Sequence, residues 1–173
     1  MQRMIIALSM LMLLVMFACR ASAPQSTNMK QLPKTNHPLV IRTDFENQQA
    51  WETICELIRA PVPEGSDTFY AYVDFLEDAD FRNLSQENLL ARVPRDYAQS
   101  FLFVVDGTAI THPEFPILVI DLYSDRGRSF RAVPSQIQAI ENNLSIANMD
   151  FVEFAGAVNK DGIFRGFRSS DLR

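Results

Sequence analysis

The chain has 173 residues, of which 47% are hydrophobic and 21% charged, with a formal net charge of −5. Those proportions are those of a single globular domain. The acidic balance, with no basic run anywhere, excludes a nucleic-acid binder, which needs a cationic stripe to displace counterions.

The first 23 residues read as an export signal. Arg3 supplies a short positive start, and Met4 to Ala18 is an uncharged apolar run. That run falls short of the roughly 20 residues a membrane-spanning helix needs. Three processing points fit: after Ala23, after Ala21, or before Cys19, where Ala18-Cys19 resembles a bacterial lipobox although Met16 and Phe17 depart from its pattern. Cys19 is thus a candidate lipidation site. The expected address is the cell envelope, as a membrane-anchored lipoprotein or a periplasmic or secreted protein. The chain holds two cysteines, Cys19 and Cys55, so removal or lipidation of Cys19 leaves one thiol and no disulfide. Residues 24–37 are polar, carry Pro24 and Pro33 and lack periodicity, as a flexible tether does.

The folded domain is expected over residues 38–167. Leu39 to Thr43 reads as a strand, after which Asp44 can cap a helix with Glu46 in its first turn. Ala50, Trp51, Ile54, Cys55 and Ile58 recur at helical spacing and form one apolar face, stopped by Pro61 and Pro63. Cys55 on that face reads as a packing thiol rather than a nucleophile. Phe69 to Phe75 alternates as a strand with one buried side. Ser85 caps a helix reaching about Arg92, with Leu84 and Leu89 spaced as a hydrophobic staple. Phe101 to Val105 is apolar on both parities, and Ile117 to Leu122 is too except for Asp121, so both should be central strands. The connection between them is short for a crossover, which favours an antiparallel pair. Ser124 to Arg128 forms a hairpin turn into a strand from Ser129 to Val133, with Arg131 facing outward on an edge.

Gln136 to Glu141 fits a strand or a helix. Asp150 then caps a helix, with Glu153 at capping-box spacing and Met149 and Phe154 as the staple. Lys160-Asp161-Gly162 ends it, Ile163 to Phe167 returns to the core, and residues 168–173 fray. The predicted fold is one α/β domain: a mixed sheet of about five strands with a parallel β-α-β start, a hairpin at one edge and flanking helices.

Several stretches carry a resemblance: Pro38-Leu-Val-Ile-Arg-Thr-Asp-Phe45 with Ala50-Trp51, His112-Pro113-Glu114, Phe130-Arg131 with Val133-Pro134, Glu141-Asn-Asn-Leu-Ser-Ile-Ala-Asn-Met-Asp-Phe151 with Glu153-Phe154-Ala155, and Asp161-Gly-Ile-Phe-Arg-Gly-Phe167. Together they resemble a bacterial family catalogued as a domain of unknown function. The resemblance implies one α/β domain and no assigned reaction or ligand; the export signal is a departure from it.

Two constellations are candidate sites. Asp44, Asp74 and Asp106 stand near the ends of predicted strands. If those strands are parallel, the carboxylates share the rim where open α/β sheets bind ligands, and they suit Mg²⁺ or Ca²⁺. Against this, Asp44 is also a helix cap and Asp106-Gly107 a turn. Glu141, Asn142, Asn143 and Asn148 form an amide and carboxylate cluster set among apolar residues. It serves either as scaffolding for an irregular connection or as a ligand pocket. His112 sits in a loop, and no nucleophile elbow, zinc spacing or glycine-rich phosphate loop occurs. The sequence therefore points to an envelope binding module for a protein or small ligand, tethered to the membrane through a lipid anchor, with no cofactor specified. The alternative is a metal-assisted hydrolase built on the aspartate rim.

Overall fold

In the computed structural model, which describes residues 29–168, the elements in chain order are β1 (Leu39–Arg42), α1 (Gln48–Arg59), β2 (Val62–Glu64), β3 (Asp67–Phe69), β4 (Asp74–Leu76), α2 (Gln86–Leu90), β5 (Phe101–Val105), α3 (Gly107–Thr111), β6 (Ile117–Asp121), β7 (Ser129–Ala132), α4 (Ile137–Ser145), α5 (Phe151–Gly156) and β8 (Ile163–Phe164). Six strands form one sheet in the order β4-β1-β5-β6-β7-β8, and β2 with β3 makes a separate hairpin. β1 is parallel to both β4 and β5, β6 is antiparallel to β5 and to β7, and β8 is parallel to β7. The sheet is thus mixed, with one strand more than the five expected. Cys19, the export signal and the last five residues lie outside the described span.

Strand parity sorts the apolar residues into two cores. Val40, Phe101, Phe103 and Val105 face a layer made by α1, α3, α4 and α5, with Trp51, Ile54, Ile137, Ile140 and Phe154 buried against them. Leu39, Ile41, Leu102 and Val104 face the other way, onto Leu32, Phe81 and Leu89. A strand covered on both faces must be apolar on both parities, as Phe101 to Val105 is. Among the described residues, the two cores draw on every strand of the six-stranded sheet except the edge strand β4, whose Phe75 and Leu76 pack against them only partly buried.

At the end of β1 a charge leaves water. Arg42 is 1% exposed. Its guanidinium donates to the Asp44 carbonyl at 2.9 Å, to Gln48 Oε1 at 2.5 Å and to Glu77 Oε1 at 2.5 Å, and it stacks over the rings of Phe45 and Trp51. Trp51 Nε1 donates to the other Glu77 oxygen at 3.0 Å. The α1 face is the expected one, Ala50, Trp51, Ile54, Cys55 and Ile58, all buried. Burial pushes the Cys55 thiol up to about 11, away from the thiolate a nucleophile requires.

The structure departs from the sequence expectations at several points. Asp44 does not cap α1. Asn47 does, its side chain accepting from the Ala50 amide at 3.0 Å, while Asp44 accepts from the Glu46 amide in the loop before it. The expected strand from Phe69 to Phe75 is divided. Gly65, at a φ of 63° that glycine adopts freely, turns the chain so that Phe69 ends the hairpin and only Asp74 to Leu76 joins the sheet. Between them the alternation survives: Ala71 and Val73 pack on the core, while Tyr70 and Tyr72 are exposed. Residues 137–145 are helical. Ile137, Gln138, Ile140 and Glu141 are buried there at spacings that a helix, not a strand, brings to one side. α2 and α5 end earlier than expected, at Leu90 and Gly156. β7 is not an edge, because β8 pairs along it.

The expected tether is the largest correction. Residues 29–37 are docked on the domain as a strap. Leu32 is buried in the second core, and its amide donates to the Arg92 carbonyl at 2.8 Å. Lys30 pairs with Asp78 at 2.5 Å and Asp80 at 2.9 Å, and Lys34 pairs with Asp96. One buried leucine carries most of this docking, since exposed ion pairs add little. Leu32→Ala is therefore expected to lower unfolding free energy in urea by about 2–5 kcal/mol, the range for core leucines. It should also make residues 29–37 accessible to limited proteolysis, whereas Lys30→Ala should leave the cleavage pattern unchanged.

Candidate binding cleft

A buried carboxylate shapes one wall of the main cleft. Asp121, the residue that interrupts an otherwise apolar strand, is 2% exposed. It accepts from the amides of Tyr123 at 2.7 Å, Ser124 at 3.1 Å and Asp125 at 2.8 Å. Three N–H donors converging on one carboxylate hold the β6–β7 turn and satisfy the buried charge. The tightened turn throws Tyr123 outward, where its side chain is 83% exposed.

The opposite wall is the connection from α4 to α5. It is a Schellman-type helix end: Asn148 N donates to the Asn143 carbonyl at 2.9 Å and Ala147 N to that of Leu144 at 3.4 Å, with Ala147 left-handed at φ 53°. A non-glycine residue there costs of order 1 kcal/mol. Side chains lock the turn, Asn148 Nδ2 donating to Asn143 Oδ1 at 2.6 Å and Asn143 Nδ2 to the Ala139 carbonyl at 2.8 Å. Glu153 then accepts from the Asp150 amide at 2.7 Å, opening α5 with the expected pairing.

Between these walls lies a cleft of about 340 Å³ with Phe101, Leu144, Met149 and Phe151 among its apolar lining and Ser100, Ser124 and Asp150 among its polar lining. Two further depressions adjoin it. One extension of about 200 Å³ reaches Asp125, Arg128 and Val152 and shares Asp121, Ser124, Asp150 and Phe151 with the main cleft. The other, of about 380 Å³, reaches Arg95, Gln99 and Arg126 and shares Ala98, Ser100 and Tyr123.

The expected aspartate rim is only partly assembled. β1 has β4 and β5 on opposite sides, so Asp44 and Asp106 stand together at the switch point of the parallel strands. Their approach is close: a Cβ on Gly107 would sit 3.0 Å from Asp44 Oδ2. Asp74, however, begins β4 instead of ending it. It is in register with Leu39 at the opposite rim, where it accepts from the His37 amide at 3.3 Å. Asp106 caps α3 through the Ala109 amide, and Arg131 grips both its oxygens at 3.0 and 2.6 Å. Among the described residues no group of three or more His, Cys, Asp or Glu side chains is arranged to hold a metal ion.

The amide cluster flanks the cleft without being part of its lining. Glu141 is buried and accepts from the Tyr72 amide at 3.1 Å and Ser145 Oγ at 2.8 Å, tying α4 to the chain before β4. Asn142 offers its carbonyl to the Ile146 amide. What lines the cleft from this stretch is Leu144, Ala147, Met149, Asp150 and Phe151. His112 accepts from the Glu114 amide at 3.1 Å within its own loop. The residues the sequence reading missed, Ser100, Tyr123 and Ser124, carry no local signal of a site.

A family model described as Domain of unknown function (DUF6924) matches residues 37–167. The chain belongs to that family. A search of curated proteins finds no match. Within this DUF6924 domain, several residues that carried the resemblance are one another's partners. Arg165 clamps Glu114 at 2.5 Å and Asp161 at 2.8 Å, and the hydrogen bonds from its guanidinium hold both carboxyls below the usual carboxylate range. The strap from residue 29 to 36 precedes the matched span.

These roles make a stability pattern. Glu141→Ala leaves the Tyr72 amide and the Ser145 hydroxyl without their acceptor and is expected to cost about 1–3 kcal/mol in chemical denaturation. Asn148→Ala, at an exposed turn, should cost about 1 kcal/mol or less. Near-neutral Glu141→Ala would remove the scaffolding role.

Proposed function

We propose that this domain is a non-catalytic binding module of the cell envelope, held at the membrane through Cys19, and that its ligand occupies the cleft between the β6–β7 turn and the α4–α5 connection. The observation that carries the binding reading is the apolar surface left open around the cleft. Its floor is Phe101, Leu144, Met149 and Phe151. Tyr123 in its lining and Val152 in its smaller extension are 83% and 52% exposed. Concentrated apolar exposure at a concavity is the ordinary mark of a binding surface, and the left-handed Ala147 places a strained residue in the same wall. The alternative, a metal-assisted hydrolase, draws no comparable support: Asp74 is at the far rim and the Asp106 oxygens are engaged by Arg131.

The envelope address rests on Arg3, the apolar run to Ala18 and Cys19. Attachment in this reading is through lipid on Cys19; among the described residues no helix is long and apolar enough to cross a membrane. Fatty-acid labelling of the expressed full chain is expected to mark the wild type and not Cys19→Ser, with the label in the membrane fraction. Equal labelling or equal membrane recovery of the two would overturn the anchor.

Occupancy of the cleft is tested on protein purified gently from its own envelope. Native mass spectrometry should show an adduct in the wild type that is lost in Met149→Asp, with Tyr72→Ala, outside the cleft, as the control. An adduct retained by Met149→Asp, or absent from the wild type, counts against the cleft.

A further inference from the structure

The cleft is apolar in its centre but ends in positive charge. Arg95 and Arg126 both line the 380 Å³ extension. Most arginines of this domain are engaged with carboxylates or aromatic rings: Arg42 with Glu77, Arg82 with Glu46, Arg131 with Asp106, Arg165 with Glu114 and Asp161, Arg59 over Phe75 and Arg92 over Phe81. Among the described residues Arg126 donates to two backbone carbonyls, those of Leu90 at 3.0 Å and Leu122 at 3.4 Å, which aim the guanidinium without neutralising it. Arg95 is exposed and has no carboxylate within ion-pair distance among the described residues. Of the nearby acids, Asp96 pairs with Lys34 and Asp121 accepts from three amides, whereas Asp150 lines the apolar compartment and not the arginine one, whose lining holds no acidic side chain. In a chain of net charge −5, two uncompensated guanidinium groups in one concavity form a local attraction for anions.

We propose that the cleft takes a single-chain anionic amphiphile, with its apolar chain on the Phe101, Leu144, Met149 and Phe151 floor and its carboxylate or phosphate headgroup against Arg95 and Arg126. This rests on the binding reading above and adds the chemistry of the ligand. Ala98, Ser100 and Tyr123 line both compartments, so the two adjoin at the ends of β5 and β6. Guanidinium groups suit carboxylate and phosphate oxygens because their fork of N–H donors matches two acceptors at once. A lipid-like chain fits better than an extended peptide. The cleft lies at the ends of β5 and β6, and both strands are paired on each side, so no open sheet edge is offered there for a peptide to extend.

The test is calorimetric titration of the purified full chain with dodecanoate, dodecyl phosphate and dodecyltrimethylammonium, each below its micelle concentration. Either anion or both should bind, and the cation should not. Arg95→Glu and Arg126→Gln should each weaken anion binding about tenfold or more, as loss of a charge-assisted contact does. Arg95→Glu should leave the melting temperature unchanged, because Arg95 makes no hydrogen bond or ion pair to a side chain among the described residues. That makes it the decisive variant if Arg126→Gln loosens the turn. Equal binding of anion and cation, or full affinity in Arg95→Glu, overturns the headgroup assignment while leaving the cleft a binding site. Absence of any amphiphile binding, with the Met149-dependent adduct still present, overturns the ligand class alone. Absence of both removes the binding reading as well.

Discussion

The buried guanidinium of Arg42 is the constraint from which the first half of the domain follows. A charge removed from water must find partners or be expelled. Arg42 finds them in three separate segments: the loop after β1, the start of α1 and the residue after β4. Satisfying it fixes the direction in which the chain leaves β1, the depth at which α1 lies on the sheet and the point at which β4 ends. Phe45 and Trp51 enclose its faces, so the charge is screened by packing and not by water. Glu77 is nearly half exposed on its outer side, which lowers the desolvation that the pair has to offset.

Asp121 plays the corresponding part at the other end of the sheet. It organises a turn through backbone amides instead of tying elements together through side chains, and so leaves the neighbouring surface free. This contrast recurs across the molecule. Asp106, Glu114, Glu141 and Asp161 are chemically capable groups, yet each is occupied by an arginine or a hydrogen-bond donor of the fold. A carboxylate in such company is a structural member. Arg95 and Arg126 differ from these in having no carboxylate partner among the described residues, and both line the compartment that adjoins the apolar cleft.

Much of this architecture was legible in the sequence where the signal is local. The face of α1, the two-sided burial of Phe101 to Val105 and the Asp150/Glu153 start of α5 each follow from spacing within a dozen residues. The failures have physical causes of a different range. Asp44 and Asn47 are equally good caps in isolation, and the arginine partner Gln48 fixes which begins the helix. The alternation from Phe69 to Phe75 is real, but a strand exists only where a neighbour offers hydrogen bonds, and β1 offers them to Asp74 to Leu76 alone. Residues 137–141 looked the same as strand or helix until the core chose which side chains to bury. The cleft was hidden because it joins residues 98–101, 121–124 and 144–151. Polar density in the last of these pointed to the right stretch while naming its frame, Glu141 to Asn143 and Asn148, instead of its lining.

The docked strap has a mechanical consequence. Nine residues of extended chain would reach roughly 30 Å, and docking withdraws that length from whatever lies upstream. A pull on the chain enters the domain through Leu32 and the lysine contacts on its second core, sparing β1 until the strap peels away. The strap also runs beside the cleft, where Gln99 Nε2 donates to the Asn36 carbonyl at 3.1 Å. The direction of tension and the mouth of the cleft are therefore fixed relative to one another by the same nine residues.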